Sequence, residues 1–179
     1  MTDQGSSGMV FCSIGGNFSS QSLYFRAVGS TSEGRLYHAP DEVFGTSYDI
    51  KEGRSQAGIL FARLPPGDYE LVDVQFFENR AQFGTTTYKS KEKFSIPFKV
   101  TANEVTYLGS FMSQKMMGKT LIGLPRSVGG YFVVSDQFDR DFALLKTKDA
   151  SVETMSSNKM ILDPDAVQLP VFQSKVLPP

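Results

Sequence analysis

The chain has 179 residues, with 18 lysines and arginines against 19 aspartates and glutamates, one histidine and one cysteine. This length suits one domain with a sizeable core, or at most two small ones, and the balanced charge gives no global field for nucleic acid or an anionic membrane. One cysteine excludes an intramolecular disulfide framework, and no run approaches the ~20 apolar residues of a membrane-spanning helix.

The first predicted elements are short strands separated by Gly, Pro and polar turns. Residues 1–8 are small and polar and are predicted to be a flexible leader without the apolar segment of a signal peptide. Apolar runs predict strands at residues 9–14, 22–28 and 35–39, followed by a short strand near residues 47–50.

The strongest turn signal lies at residues 58–71, where two alternating apolar runs flank Leu64-Pro65-Pro66-Gly67. The pattern predicts a hairpin, with Gly67 in the left-handed position of a type II turn. The apolar positions change parity between Leu71 and Val72, which predicts a bulge or a strand that crosses from one sheet to another.

Residues 79–93 are polar and rich in threonine and lysine, and we expect them to form an exposed excursion. Residues 94–100 alternate clearly between apolar and polar positions. Because Pro97 lies on the other face, this strand is predicted to be an edge strand or to carry a bulge. With residues 105–111 it is predicted to form a second hairpin.

The C-terminal part contains the one convincing helical pattern. Residues 112–130 are predicted to be loop-like and residues 131–134 to be the last good strand. A helix is predicted at about 136–148, with Asp136 as its N-cap, and residues 151–179 are predicted to be an extended arm. Together these elements predict a mainly β chain, with an antiparallel β-sandwich over residues 9–150 and one C-terminal helix.

The pattern Ile59-x-Phe61-x-x-Leu64-Pro65-Pro66-Gly67-x-Tyr69-x-Leu71 resembles the hallmark of carboxypeptidase-regulatory-like, transthyretin-like domains. With residues 94–109 and 135–141, the chain resembles a group of uncharacterised bacterial secreted proteins and lipoproteins over roughly residues 9–150. The resemblance implies a prealbumin-like sandwich in the periplasm or attached to the outer membrane, with an accessory role and no catalytic activity. Because no lipobox is present, a membrane anchor would have to lie upstream of Met1.

Three features could indicate nucleophilic or phosphate chemistry. Gly118-Lys119-Thr120 matches the end of a P-loop, but the glycine that the motif needs five positions earlier is Ser113, so an ordinary basic loop is the better interpretation. A hydrolase would have to use His38, the sole histidine, together with a carboxylate, and would place His38 in a pocket beside an Asp, Glu or Ser side chain. Cys12 lies in an apolar strand and is expected to be a buried small hydrophobe rather than a nucleophile.

Two groups of side chains could ligate metals, and each has a structural explanation. The thioethers that Cu(I) prefers come from three methionines, for which flexible packing is an alternative use: Met112, Met116 and Met117. An acidic cluster lacks the spacing of a calcium-binding EF-hand, and helix capping and dipole compensation explain its members: Asp136, Asp139 and Asp141. We therefore expect no metal and no cofactor.

If the chain has a binding surface, we expect it in residues 79–93 and 112–130. Four residues of the first segment mix cations with aromatic rings, as a ligand-binding loop does: Phe83, Tyr88, Lys89 and Lys91. The leading hypothesis is a non-catalytic envelope domain whose partner is another envelope protein or a glycan, and not nucleic acid. The alternatives are the hydrolase using His38, and a small-ligand or carbohydrate binder with Phe83, Tyr88 or Tyr131 as an exposed aromatic platform.

Overall fold

The computed structural model describes residues 7–39, 48–52 and 55–176, and of residues 52, 55 and 83 only the backbone. Within these ranges the first strands are β1 (Gly8–Gly16), β2 (Ser20–Ala27), β3 (Gly34–His38), β4 (Ile50–Glu52), β5 (Ser55–Leu64), β6 (Gly67–Asn79), β7 (Thr85–Lys89) and β8 (Ile96–Val100). The later elements are β9 (Glu104–Lys119), β10 (Pro125–Ser135), α1 (Phe138–Lys148), β11 (Ser156–Lys159), α2 (Pro164–Val167) and β12 (Phe172–Gln173). Most of the predicted leader, and residue 47 of the predicted fourth strand, lie outside the described residues.

The strands form two sheets. The larger has the order β12–β10–β9–β1–β5–β4, with β11 also beside β9, and the smaller has the order β3–β2–β6–β7, with β8 also beside β6. The prediction of a mainly β chain is confirmed. The pairing is mostly antiparallel, as predicted, but three strand pairs are parallel: β1 with β9, β11 with β9, and β12 with β10. The whole smaller sheet is traversed between β1 and β9, and a long connection of this kind lets a strand return in the same direction.

The larger sheet has an apolar core on each of its faces. On one face, Val10 and Cys12 pack between the two sheets with side chains of the smaller sheet such as Phe76. On the other face, Phe11 packs with Leu145 of α1 and with the residues that follow this helix. Residues of β1 are therefore buried on both sides, which explains why its sequence is a continuous apolar run rather than an alternating one.

The segment with the strongest turn signal connects the two sheets and does not form a hairpin. β5 pairs with β1 and β4 in the larger sheet, whereas β6 pairs with β2, β7 and β8 in the smaller one. Gly67 is not among the described glycines with positive φ, so the predicted type II turn is also wrong. The connection is fixed instead by the hydroxyl of Tyr69, which donates to the carbonyl oxygen of Pro65 at 2.9 Å. Pro65 and Pro66 have no N–H to donate, so antiparallel pairing cannot continue through them.

The second predicted hairpin is wrong for the same reason, because β8 belongs to the smaller sheet and β9 to the larger. Two local predictions are confirmed. The β2–β6 ladder pairs Tyr24 with Asp73 and Phe25 with Leu71, so Val72 is the extra residue of a bulge. Within the described residues β8 pairs only with β6, so Pro97 lies on an edge strand and is exposed there.

Residues 112–130 form most of a long antiparallel hairpin, not the predicted loop. β9 and β10 pair with each other from Ser110 and Ser135 outward to Lys119 and Pro125. Beyond Ser113, β9 has no partner among the described strands except β10. This ribbon is largely exposed, so its sequence lacks the alternation by which half-buried strands are recognised.

The other C-terminal predictions are partly correct. α1 ends at the predicted residue, Lys148, but begins at Phe138. Residues 151–176 are not simply extended, because they contain β11, β12 and a second helix, α2. Phe172 of β12 is buried in the core between the sheets. Among the described residues, no helix has the length and apolar character needed to cross a bilayer.

Candidate functional site

His38 lies at the end of β3 and is buried, with 7% of its surface exposed. Burial lowers its pKa to about 4, although the negative charge of Asp49 acts in the opposite direction. Both oxygens of Asp49 have other partners: Oδ2 accepts from the backbone N–H of Ile59 at 2.8 Å, and Oδ1 lies 2.9 Å from Nζ of Lys148. Nδ1 of His38 has no hydrogen-bond partner among the described residues. This is a neutral, buried histidine near a carboxylate that is already engaged.

Cys12 lies at the centre of β1 and is fully buried, as its sequence context predicts. Burial raises the pKa of its thiol, and the charge of Asp141 raises it further. Because the thiolate is the reactive form of cysteine, this position does not suit a nucleophile.

A buried polar cluster lies where α1 packs on the larger sheet, and sequence reasoning missed it. Asp141 is fully buried, and its Oδ2 accepts from the hydroxyls of Ser13 and Tyr107, both at 2.6 Å. Its Oδ1 accepts from Nε of Arg140 at 2.9 Å. Oγ of Ser110 lies 2.9 Å from Oγ of Ser13. Since a hydroxyl carries a single proton and Ser13 gives its proton to the carboxylate, Ser110 donates to Ser13.

A glycine bulge in β9 brings this cluster together. Phe11 is paired with Tyr107 and Ser13 with Ser110, so β9 has one residue more than β1 between these pairs. Gly109 takes up the extra residue at φ +121°, a conformation that side chains with a Cβ rarely adopt. As a result, the hydroxyls of Tyr107 and Ser110 both belong to the polar cluster beneath α1. No sequence signal for this existed beyond a glycine inside a strand pattern.

The cluster supports the fold rather than chemistry. Burial raises the pKa of the Tyr107 phenol well above its usual range, and the hydrogen bond to Asp141 acts in the same direction. Ser13 and Ser110 are both buried, so neither hydroxyl is presented to a substrate. Asp141, predicted to compensate the helix dipole, instead attaches α1 to the sheet.

The side chains that were weighed as metal ligands are not brought together. Within the described ranges, no group of three or more His, Cys, Asp or Glu side chains could hold a metal ion. Asp136 accepts from the N–H of Phe138 at 3.0 Å and pairs with Lys159 at 3.0 Å, whereas Asp139 is exposed. Asp136 therefore supports the start of α1 as predicted, but from the position before the N-cap, Gln137. The methionines also separate, since Met112 packs against the core under α1 and the other two are exposed.

The four predicted ligand-binding residues do not share one surface. Tyr88 is half-buried, and its hydroxyl donates to the carbonyl oxygen of Ser127 at 3.0 Å and accepts from Arg80 at 2.8 Å. Lys89 is the next residue of the same strand and therefore projects from the opposite face. Lys91 is exposed beyond the end of β7, and the side chain of Phe83 is outside the described part of the chain.

Tyr88 belongs to an ion-pair cluster that attaches the base of the β9–β10 hairpin to the smaller sheet. The carboxylate of Glu78 accepts from Arg80 at 2.8 Å and from Lys115 at 2.7 Å. Burial opposes ionisation of Glu78, but the hydrogen bonds from Lys115 and Arg80 outweigh it, so its pKa lies below the usual range. Arg80 also donates to the carbonyl oxygen of Ser127 at 3.1 Å.

The outer end of the same hairpin is apolar and exposed. We call residues 116–128 the ribbon tip. It contains six of the large hydrophobic side chains that the described structure exposes: Met116, Met117, Leu121, Ile122, Leu124 and Val128. Leu121 and Ile122 are the extreme cases, at 108% and 81% exposure. Apolar side chains grouped in this way, and not scattered singly, are typical of an interaction surface.

The ribbon tip ends in an ordered turn. The N–H of Thr120 donates to the carbonyl oxygen of Leu124 at 2.8 Å, and the N–H of Gly123 donates to that of Thr120 at 2.9 Å. The hydroxyl of Thr120 accepts from the N–H of Leu124 at 3.1 Å. Gly118-Lys119-Thr120 is therefore the end of β9 and the start of this turn, and does not open a helix as a P-loop does.

An apolar groove of about 210 Å³ lies between β8 and residues 160–167. Its lining includes Leu71, Ile96, Phe98, Leu108, Leu162 and Val167. Its one carboxylate, that of Asp163, already caps α2 by accepting from the N–H of Asp165. A sugar would find few polar partners there. Tyr131, one of the platform residues that the carbohydrate-binding alternative named, is buried.

No family model matches this chain, and no curated protein matches it. Among solved structures, it is similar to a leucine-rich repeat protein from Bacteroides thetaiotaomicron VPI-5482, with 14% identity and a TM-score of 0.36. The aligned part covers 60% of this chain and 14% of that one. A similarity at this level carries no argument about fold or function.

Proposed function

We propose that this chain is a non-catalytic module of the bacterial cell envelope that binds or assembles through the ribbon tip. The observation that carries the proposal is the exposure of six large apolar side chains at the outer end of the β9–β10 hairpin. Single exposed hydrophobic residues are normal on a protein surface, but a group of this kind on a hydrogen-bonded turn has a cost in water that a binding partner removes.

The positions of the candidate nucleophiles and bases support a non-catalytic role. His38 is buried, and the carboxylate whose charge acts on its pKa, that of Asp49, already has two partners. Cys12 and the serines beneath α1 are buried as well. A hydrolase needs such groups within reach of a substrate, so the hydrolase using His38 is the weaker proposal.

The prealbumin-like fold and the envelope location are part of the proposal. They are supported by the Leu64-Pro65-Pro66-Gly67-x-Tyr69 resemblance, and two sheets that pack around a shared core are compatible with such a sandwich. Fractionation of the producing cells tests the location. Recovery of the protein in the cytosolic fraction would contradict it.

The binding role is testable by thiol accessibility, because Cys12 is buried and a new surface cysteine would be the one reactive thiol. We would compare Ile122→Cys, at the ribbon tip, with Val28→Cys, a 60% exposed position beyond the end of β2. In purified protein both should react equally fast with a small maleimide. In producing cells Ile122→Cys should react several-fold more slowly than Val28→Cys, and equal rates there would overturn the proposal.

A further inference from the structure

We infer that the ribbon tip inserts its apolar side chains into the surface of an anionic phospholipid bilayer. The inference rests on the proposed function, in that it names the partner of the same surface. Three observations carry it: the apolar content of the tip, the charge of the segment around it, and the hydrogen bonding of its turn.

The apolar side chains are placed for shallow insertion. Leu121 and Ile122 project furthest at the turn, and Leu124, Met117 and Val128 follow at 58%, 58% and 48% exposure. Removing such side chains from water is the main driving force for interfacial binding. For each Leu or Ile that becomes fully buried the expected gain is roughly ten- to a hundredfold in affinity.

The charge of the same segment complements an anionic surface. Residues 105–135 contain no aspartate or glutamate but carry Lys115, Lys119 and Arg126. Lys115 is paired with Glu78, at the base of the hairpin. Lys119 and Arg126 flank the turn, both are exposed, and neither has an ion-pair partner among the described residues. A cation near an anionic bilayer contributes about fivefold to binding, so these two favour acidic lipids.

Part of the backbone of the turn is already hydrogen-bonded, and this lowers the cost of moving it into an apolar environment, where each unpaired N–H or carbonyl is costly. The N–H groups of Thr120, Gly123 and Leu124 all donate within the turn. Pro125, the first residue of β10, has no N–H. The loop is therefore formed before binding and does not need to reorganise in order to insert.

The size of the surface favours a bilayer over a protein partner. A stable protein interface takes about 20–30 residues from each side, whereas the ribbon tip spans residues 116–128. A bilayer requires neither a larger surface nor a matching pocket. A second copy of the chain and a protein partner are the rival occupants.

The chain contains no tryptophan, so one introduced residue gives an unambiguous fluorescence probe. We would compare Ile122→Trp with the matched control Val28→Trp, using vesicles of phosphatidylglycerol with phosphatidylcholine and vesicles of phosphatidylcholine alone. With anionic vesicles, Ile122→Trp emission should shift to shorter wavelength and be quenched by lipids brominated along the acyl chain. Val28→Trp should show neither effect.

Two further variants test the apolar and charged contributions in the Ile122→Trp background. Adding Leu121→Ser should lower the vesicle affinity at least about tenfold. Adding Lys119→Gln with Arg126→Gln should lower it by roughly ten- to thirtyfold on anionic vesicles and remove most of its salt dependence. Unchanged thermal unfolding would show that the fold is intact.

An Ile122→Trp spectrum that is unchanged by anionic vesicles would overturn the inference. So would a self-association in sedimentation that Leu121→Ser abolishes, because a second copy would then cover the tip. If the vesicles fail while Ile122→Cys stays protected in cells, a partner other than the bilayer covers the tip: the proposed function stands and the bilayer is excluded. If that protection fails as well, the proposed function falls with it.

Discussion

Replacing Asp141 with asparagine tests whether the buried carboxylate attaches α1 to the larger sheet. Its two oxygens accept from Ser13, Tyr107 and Arg140 at 2.6, 2.6 and 2.9 Å. Asparagine keeps the shape but replaces one of the oxygens by an NH₂ group. In one orientation of the asparagine amide, its NH₂ group replaces Oδ2 and faces the hydroxyls of Ser13 and Tyr107, which lose their acceptor. In the other orientation, the NH₂ group faces Arg140, which is also a donor.

The expected loss follows from these contacts. A hydrogen bond to a charged group contributes about 1.5–3 kcal/mol, and removing one partner of a buried ion pair costs about 3–5 kcal/mol. Asparagine retains one acceptor, so we expect the free energy of unfolding to fall by about 3 kcal/mol. For a domain of this size the melting temperature should fall by roughly 6–12 °C.

Urea unfolding followed by circular dichroism, with calorimetry, would measure the loss. The control is Asp139→Asn, an exposed residue of the same helical turn, which should lose only about 0.3–1 kcal/mol of dipole stabilisation. Tyr107→Phe removes one donor, so its effect should not be additive with that of Asp141→Asn. An Asp141→Asn protein within about 0.5 kcal/mol of the parent would refute a stabilising role for the cluster.

Three shorter predictions concern His38, Gly109 and Cys12. His38 has a pKa of 6.5 when unperturbed and about 4 in the fold, so the unfolded chain takes up its proton first. The contribution of neutral His38 to the free energy of unfolding is therefore fully present above pH 6.5, and up to about 3 kcal/mol of it is lost as the pH falls towards 4. Urea unfolding at a series of pH values should show that His38→Gln removes this part of the pH dependence of stability. Gly109→Ala should destabilise by about 1–3 kcal/mol, because φ is +121° and the new Cβ lies 3.3 Å from Val134, whereas Gly67→Ala should cost little in the same melts. The thiol of Cys12 should react with a maleimide only upon unfolding, and faster in Asp141→Asn; rapid labelling of the folded parent would contradict its burial.

The sequence alone determined many of the strands and several of their irregularities. The parity change at Val72 marked a real bulge, and Pro97 marked an edge strand. These predictions succeeded because they depend on local chemistry: side chains alternate with a period of two, and proline lacks an N–H wherever it lies. The end of α1 at Lys148 was correct for a similar reason, since helical periodicity is also local.

Only the tertiary structure decided which strands pair and what becomes buried. Period-two alternation gives a strand its inner face but does not name its neighbour, so Pro65-Pro66 looked like a hairpin turn although it joins two sheets. Asp141 looked like a helix-dipole residue because nothing near it in sequence shows that Ser13, 128 positions away, lies beneath the helix. The ribbon tip lies within residues 112–130, one of the two segments in which a binding surface was expected, but its form, a β-hairpin with an exposed apolar end, was not predicted. Whether Leu121 and Ile122 are buried or exposed depends on how far the hairpin projects beyond its neighbouring strands, which depends on contacts distant in sequence.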